Sequence, residues 1–261
     1  MRRTSVSDSI MLLDIESEEF KCSDLKEMKA SYWCTVSCSF GFYVTVINAI
    51  VVAYSMLQDR FGYTEDETGF YYTLPYLVTS VSSPFIGGFV DYTGIRMPTI
   101  LTGASLLFTA HMTLLLVPDC VKCWYSKFPF IILGLAYCTY TVVLYPLVAL
   151  QVTSKVMGTA FGTMSVLSNF GTFIAPPIVG YIKDNTTKLY GYFWVEMFFI
   201  FISFGVFTLL IFVTKFERQR QAKEKLRASE KQRLISESGG GYKEVPETSK
   251  DEMTDTFSEK N

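Results

Sequence analysis

The sequence predicts an all-α integral membrane protein of six transmembrane helices, arranged as a 3+3 inverted repeat. Three observations carry this reading: where the charges lie, how long the charge-free windows are, and a motif that recurs at matching places in the two triplets. Of the 48 charged residues, 12 fall in residues 1–29 and 21 in residues 215–261, which leaves 15 for the 185 residues between. A soluble domain carries roughly a quarter of its residues as charge across its whole surface. The middle block does not. It is also too poor in Lys and Arg to hold nucleic acid.

Charge-free windows run over 30–58, 68–90, 97–118, 128–154 and 156–182, and 189–214 is interrupted only by Glu196. Each reaches the roughly 20 apolar residues that a helix needs to cross about 30 Å of hydrocarbon. Unpaired backbone groups are not tolerated there, and strict apolar–polar alternation is absent, so helices are required and a barrel is not. The expected spans are 32–57, 68–90, 97–117, 128–153, 156–182 and 189–214, together forming a six-helix unit over 30–215. Residues 1–29 read as an acidic tail without the apolar run of a secretory signal. Residues 216–261 read as a charged tail, helical at first and then disordered, since charge alternates at helical spacing over 215–235 and a Ser-Gly-Gly-Gly stretch follows at 238–241. Counting only basic residues near the membrane, thirteen lie in the tails and the short loops on their side, against five on the other. Both tails are therefore expected in the cytosol, a bias carried by the tails themselves.

Span two ends in Pro84-Phe-Ile-Gly87-Gly-Phe-Val-Asp91, and span five ends in Pro177-Ile-Val-Gly180-Tyr-Ile-Lys-Asp184. Both read P-x-x-G-x-x-x-D, and each closes the second helix of a triplet, the layout of an inverted-repeat transporter. Small residues let helices approach closely in lipid, and an acid at the membrane edge can pair with the positive N-terminus of a facing helix. The turn after Asp91 continues Tyr92-Thr93-Gly94-Ile95-Arg96, short enough to act as a conformational hinge.

The pattern G-x-x-x-D-x-x-G-x-R, set by Gly87, Asp91, Gly94 and Arg96, resembles the signature loop between the second and third helices of major facilitator superfamily transporters. Tyr92 and Ile95 replace its usual basic residues, as in the weaker copy of the C-terminal half. Tyr145-Pro146-Leu-Val-Ala, Met157-Gly158-Thr159-Ala160-Phe161-Gly162 and Ser168-Asn169-Phe-Gly171 follow in an order that is similar to the C-terminal half of the lysosomal dipeptide uniporter branch. The resemblance covers residues 30–215. It implies half of a twelve-helix fold, with residues 1–29 standing where the central loop would be. The implied activity is alternating-access movement of a small polar solute, dipeptides or amino acids foremost, with no cofactor and no catalysis. The implied partners are a second six-helix half or a copy of the chain itself, the lipid bilayer, and a glycosylated lumenal accessory subunit. A six-span accessory or regulatory subunit without transport is the competing expectation.

By the same resemblance the first helix of each triplet lines the central cavity. Tyr137, Tyr140 and Tyr145, with Thr141, sit at helical spacing on span four, and Pro146 is expected to break that helix and free backbone groups for a solute. Span five offers Ser165, Asn169 and Thr172, and span one Thr45 and Asn48. Such side chains also serve simply to link helices. Asn48, Tyr137, Tyr140, Tyr145 and Asn169 are the substrate-binding candidates. Glu196 is the one charge inside a span, where an acid costs about 2.5–3.5 kcal/mol on insertion scales. A contact with a neighbouring polar residue is its expected role, and His111, the sole histidine, is read the same way. Cys120 and Cys123 form a lone CxxC, read as an ordinary loop, with a local disulfide as the alternative, and not as a metal site. No catalytic motif is present. Asp8, Leu12 and Leu13, and again Glu230, Leu234 and Ile235, fit acidic dileucine sorting signals, and Tyr242 to Val245 fits a tyrosine-based one. With the branch resemblance, these point to a lysosomal or endosomal membrane. Asn185-Thr186-Thr187 is a glycosylation sequon close to the predicted membrane edge.

Overall fold

A computed structural model describes residues 28–187 and 191–237. The chain divides into two units, 1–216 and 217–261. The helices, in chain order, are α1 (Ala30–Asp59), α2 (Glu65–Tyr72), α3 (Leu74–Thr93), α4 (Arg96–Leu116), α5 (Phe128–Gln151), α6 (Met157–Asp184) and α7 (Tyr192–Glu237). Single 3₁₀ turns at Trp124–Lys127 and Ser154–Val156 lead into α5 and α6. No strand occurs among the described residues. In the second unit, residues 217–237 are helical, and every side chain described there is exposed.

Five helical segments are long and apolar enough to cross a membrane: Ala30–Asp59, Arg96–Leu116, Trp124–Gln151, Ser154–Asp184 and Tyr192–Phe216. Six were expected, and the difference lies at 68–90. The chain turns helical earlier there, because Thr64 and Glu67 form a capping box in which Glu67 Oε2 accepts from the Thr64 N–H at 3.0 Å. It then breaks at Thr73, and Pro75, suited to a first helical turn, starts α3. Serines, threonines, glycines and Pro84 dilute the apolar content of α3. The long apolar helices make the chain an integral membrane protein.

Helix α1 is the most enclosed, with 72% of its apolar window buried. It packs along α6, while α5 packs against α3 and α4. Phe42 of α1 stacks on Tyr140 of α5, ring centroids 3.6 Å apart and nearly parallel at 7°. Close approach sets two of these crossings. A Cβ on Gly134 would stand 2.6 Å from the Pro75 carbonyl oxygen of α3, and one on Gly171 would stand 2.5 Å from the Phe40 and Val44 side chains of α1. Glycine at such points lets helix backbones meet where lipid supplies no hydrophobic drive. The motif glycines have other surroundings: Gly87 would meet Val142 at an ordinary 3.8 Å, and Gly180 meets nothing within 4 Å.

Polar ties join the helices at both ends. At the end carrying loops 60–64 and 117–123, here called distal, the buried Arg60 donates to Asp119 Oδ1 at 2.7 Å and to the carbonyls of Leu114 and Val117 at 2.9 and 2.6 Å. It thereby satisfies the unpaired carbonyls at the negative end of α4. Lys183 and Tyr192 both donate to Asp59 Oδ2, at 3.0 and 2.7 Å, joining α1, α6 and the start of α7. Lys122 reaches Glu67 at 2.9 Å. Cys120 and Cys123 are joined in a disulfide, the alternative to the ordinary loop expected first. Lys122 takes the left-handed conformation, φ 53°, and the turn brings the two Cα atoms to 6.0 Å. At the proximal end, Tyr32 donates to the Ala160 carbonyl at 2.8 Å, and Gln151 Nε2 donates to Thr35 Oγ1 at 3.0 Å.

Glu196 of α7 meets His111 of α4, Oε2 to Nδ1 at 2.8 Å, with side chains 2% and 0% exposed. The Phe199 ring lies 5.1 Å from the imidazole, and His111 Nε2 has no partner among the described residues.

Three expected outcomes follow from this packing. Gly171→Leu must push Phe40 and Val44 aside and should cost about 1–3 kcal/mol, whereas Gly180→Leu enters open space and should change stability by less than about 0.5 kcal/mol; thermal unfolding in detergent measures both. His111→Leu strands Glu196 in an apolar seam and should cost about 3–5 kcal/mol, while the double change with Glu196→Leu should be near neutral; a double-mutant cycle reads the coupling. Hydrogen bonds from Lys122 and the Thr64 backbone lower the Glu67 carboxyl from its usual 4.5 to about 2. A depressed acid contributes above its unfolded pKa and loses that contribution as pH falls through the folded one. The melting difference between wild type and Glu67→Gln should therefore hold from pH 7 to about pH 5 and vanish toward about pH 2.

Candidate binding cavity

Three helices enclose a cavity of about 280 Å³. From α1 come Tyr43 and Ile47, from α5 Tyr137 and Tyr145, and from α6 Met164, Ser165, Ser168, Asn169 and Thr172. The spacing is that of one helical face in each case: four on α1, eight on α5, and a run of three, four and seven on α6. The Tyr43 and Tyr137 rings meet edge to face at 6.2 Å, and Tyr145 lies 6.1 Å from Phe161. Ser168 faces Ser39 of α1 across 3.3 Å. No ionisable acid, amine or guanidinium lines the space, so its polarity comes from phenols, hydroxyls and one amide.

Of the five substrate-binding candidates, Tyr137, Tyr145 and Asn169 line the cavity. Asn48 does not: it is buried, and its amide donates to the Val44 carbonyl of its own helix at 2.7 Å. Thr45 likewise bonds the Gly41 carbonyl at 2.8 Å. Tyr140 turns into the core against Phe42, and its hydroxyl has no partner among the described residues. Three residues past Tyr137, it lies on the flank of the helix and not on the cavity face. Helix α5 also runs unbroken through Pro146. A proline removes one N–H without ending the helix when its neighbours hold the remaining bonds. Tyr43 is missed by sequence reading, because the polar residues of α1, among them Ser39, Thr45 and Asn48, are spread around the helix, and the two singled out, Thr45 and Asn48, do not share the face of Tyr43 and Ile47.

The loop at 91–96, expected to act as a hinge, has a different character. Gly94 caps α3 in the left-handed conformation, φ 68°, its N–H bonded to the Val90 carbonyl at 2.8 Å. Glycine takes that geometry without a Cβ penalty. Asp91 and Asp184 are exposed, and neither these two nor Arg96 makes a side-chain hydrogen bond or ion pair with any described residue. Glu196 is engaged with His111 and is not part of the cavity lining. Among the described residues no group of three or more His, Cys, Asp or Glu could hold a metal ion. The sorting patterns at Asp8, Leu12 and Leu13 and at Tyr242 lie outside the described residues. Glu230 is exposed on the helix that ends at Glu237, and the side chains of Leu234 and Ile235 lie outside the described set.

The chain is similar to the lysosomal dipeptide transporter MFSD1 of several vertebrates. The Homo sapiens protein is 28% identical over 183 residues, which cover 70% of this chain and 37% of that protein. The Danio rerio protein is 26% identical over 183 residues, 38% of its length. The Gallus gallus protein is 25% identical over 199 residues, 75% of this chain and 43% of that protein. The chain thus spans less than half the length of these relatives. The family model of the Major Facilitator Superfamily matches residues 34–250, a range that takes in the membrane helices, the hinge loop and all three walls of the cavity, and the chain belongs to that superfamily.

Proposed function

We propose that this chain forms one half of an alternating-access carrier for a small polar solute, with dipeptides and amino acids the leading substrates. One observation carries the reading: a cavity ringed by phenols, hydroxyls and an amide, enclosed by helices of which the first of each triplet supplies the tyrosines. Complete small-molecule sites run from roughly 300 to 1,000 Å³, so about 280 Å³ suits a wall that a second half completes. In this reading α3 is the sixth span, with the two P-x-x-G-x-x-x-D stretches in equivalent places of a 3+3 repeat. The unpaired Asp91 and Arg96 are free to engage the opposite half in one conformation and release it in the other. The second half is a further six-helix segment or another copy. The dipeptide substrate and the lysosomal or endosomal membrane are taken from the resemblance to the dipeptide transporters, with both tails in the cytosol and the distal end in the lumen. Transport is binding plus conformational exchange, each state stabilised only by its differential contacts with the solute.

The test joins this chain to the first half of the human relative and measures labelled dipeptide uptake into liposomes. Saturable uptake is expected, and Tyr145→Ala and Asn169→Ala should each lower it about tenfold, the loss of one to two hydrogen bonds. Asp91→Ala should slow exchange without altering dipeptide binding. Full uptake by well-folded cavity variants would reject the binding role, and unchanged flux in Asp91→Ala would reject the hinge role. A protein that folds with the partner half yet moves no peptide would favour the accessory-subunit alternative.

A further inference from the structure

The last part of α7 differs in charge from the rest of the chain. The membrane-length segment of α7 ends at Phe216, and the helix continues to Glu237. Residues 217–233 carry seven Lys and Arg against three Glu, a net charge of +4 in a chain whose total is −2. Arg220, Lys223, Arg227 and Lys231 follow one another at intervals of three, four and four. On a helix these positions share one face, a basic stripe about 16 Å long. Lys223 and Arg227 are exposed, as is Arg218, and none of the three makes a side-chain hydrogen bond or ion pair with a described residue.

What the stripe meets follows from its charge and from the segment it continues. Arg220 stands four residues past the end of the membrane-length segment, about 6 Å of helix. A charged membrane surface is felt over roughly 8 Å at physiological salt, so the stripe begins within that field. Lys and Arg beside a membrane helix are drawn to anionic lipids by roughly a factor of five per residue. Ammonium and guanidinium groups form charge-assisted hydrogen bonds with phosphate and carboxylate oxygens, and the phosphatidylserine headgroup carries both. Four cations spread along about 16 Å of helix reach further than one headgroup, so the stripe suits a surface of singly charged heads. A purely solvated face would balance its signs, and here the three glutamates leave a basic surplus. Residues 238–261, net −3, are a rival anion, smaller in charge than a membrane surface.

We propose that residues 217–233 dock on an anionic phospholipid surface, phosphatidylserine above all, with Arg220, Lys223, Arg227 and Lys231 against its headgroups. Such lipid is concentrated in the cytosolic leaflet, the side that the proposed function gives to the tails. The docking itself depends neither on that orientation nor on transport, because the test supplies the lipid in both leaflets. The full chain is placed in nanodiscs of phosphatidylcholine, with or without phosphatidylserine, and hydrogen–deuterium exchange over 217–233 is read by mass spectrometry. A bound surface stabilises the helix it holds, so exchange should slow at least about fivefold with phosphatidylserine and recover at high salt. Changing all four stripe residues to Gln, a comparable helix former, should abolish the slowing. Arg220→Lys with Arg227→Lys should keep it, because a surface reads charge and not the guanidinium fork. Gln at Lys243, Lys250 and Lys260 should keep it too. Each variant is compared with itself in phosphatidylcholine, which cancels any change in the helix alone. Equal exchange in the two bilayers overturns the proposal, as does slowing that survives high salt or the four Gln changes. Loss of slowing in the Lys variant assigns a single-headgroup pocket and overturns the surface. Equal slowing by inorganic phosphate in phosphatidylcholine discs assigns a soluble anion and overturns the lipid. Slowing already present in phosphatidylcholine, and lost when residues 238–261 are deleted, assigns the stripe to the acidic tail and overturns it as well.

Discussion

In hydrocarbon a polar side chain has no water to turn to, and along these helices the hydroxyls and amides answer that constraint by bonding their own backbone. Thr45 bonds Gly41, Asn48 bonds Val44, Ser203 bonds Phe199 and Thr214 bonds Leu210, each to a carbonyl four residues back. These groups are spent on the helix that carries them. Against that background the cavity of Tyr43, Tyr137, Tyr145, Ser165 and Asn169 is distinctive, because its polar groups converge on open space from three helices. Polarity alone does not mark a binding residue here; polarity left over after the helix has been satisfied does.

The same constraint explains how charge is distributed. The distal end is fastened by Arg60 on the α4 carbonyls, by the shared Asp59 and by Lys122 on Glu67. The seam between α4 and α7 is closed by His111 with Glu196, two groups that are each costly alone in lipid and acceptable as a pair. The loop at Asp91 and Arg96 carries no comparable tie among the described residues. The unit is thus fastened within itself by charged ties at the distal end and by neutral ones from Tyr32 and Gln151 at the proximal end, while the charges of the short loop are left for a partner in the proposed mechanism.

Much of this protein can be read from its sequence. The distribution of charge and the long apolar windows dictate a helical membrane protein, because backbone groups must be paired inside the segment that crosses lipid. The signature loop and the block from Tyr145 to Gly171 carry the superfamily, and helical spacing places Tyr137, Tyr145 and Asn169 on faces that do line the cavity. Glu196 is legible as a residue in need of a partner.

Which partner it finds is a matter of tertiary structure, since His111 lies 85 residues away on another helix. The same holds for Tyr140, whose offset from Tyr137 allowed a cavity position until Phe42 stacked against it, and for Tyr43, which is not singled out on a helix whose polar residues are spread around it. The break at Thr73 and the passage of α5 through Pro146 depend on whether neighbouring helices restore the bonds a proline removes. Sequence alone determines that these segments are helices in a membrane, because that follows from local hydropathy and backbone pairing. The folded arrangement decides which faces meet, because close packing at Gly134 and Gly171 sets how α5 turns against α3 and α6 against α1, and rotation decides whether a side chain meets lipid, core or cavity.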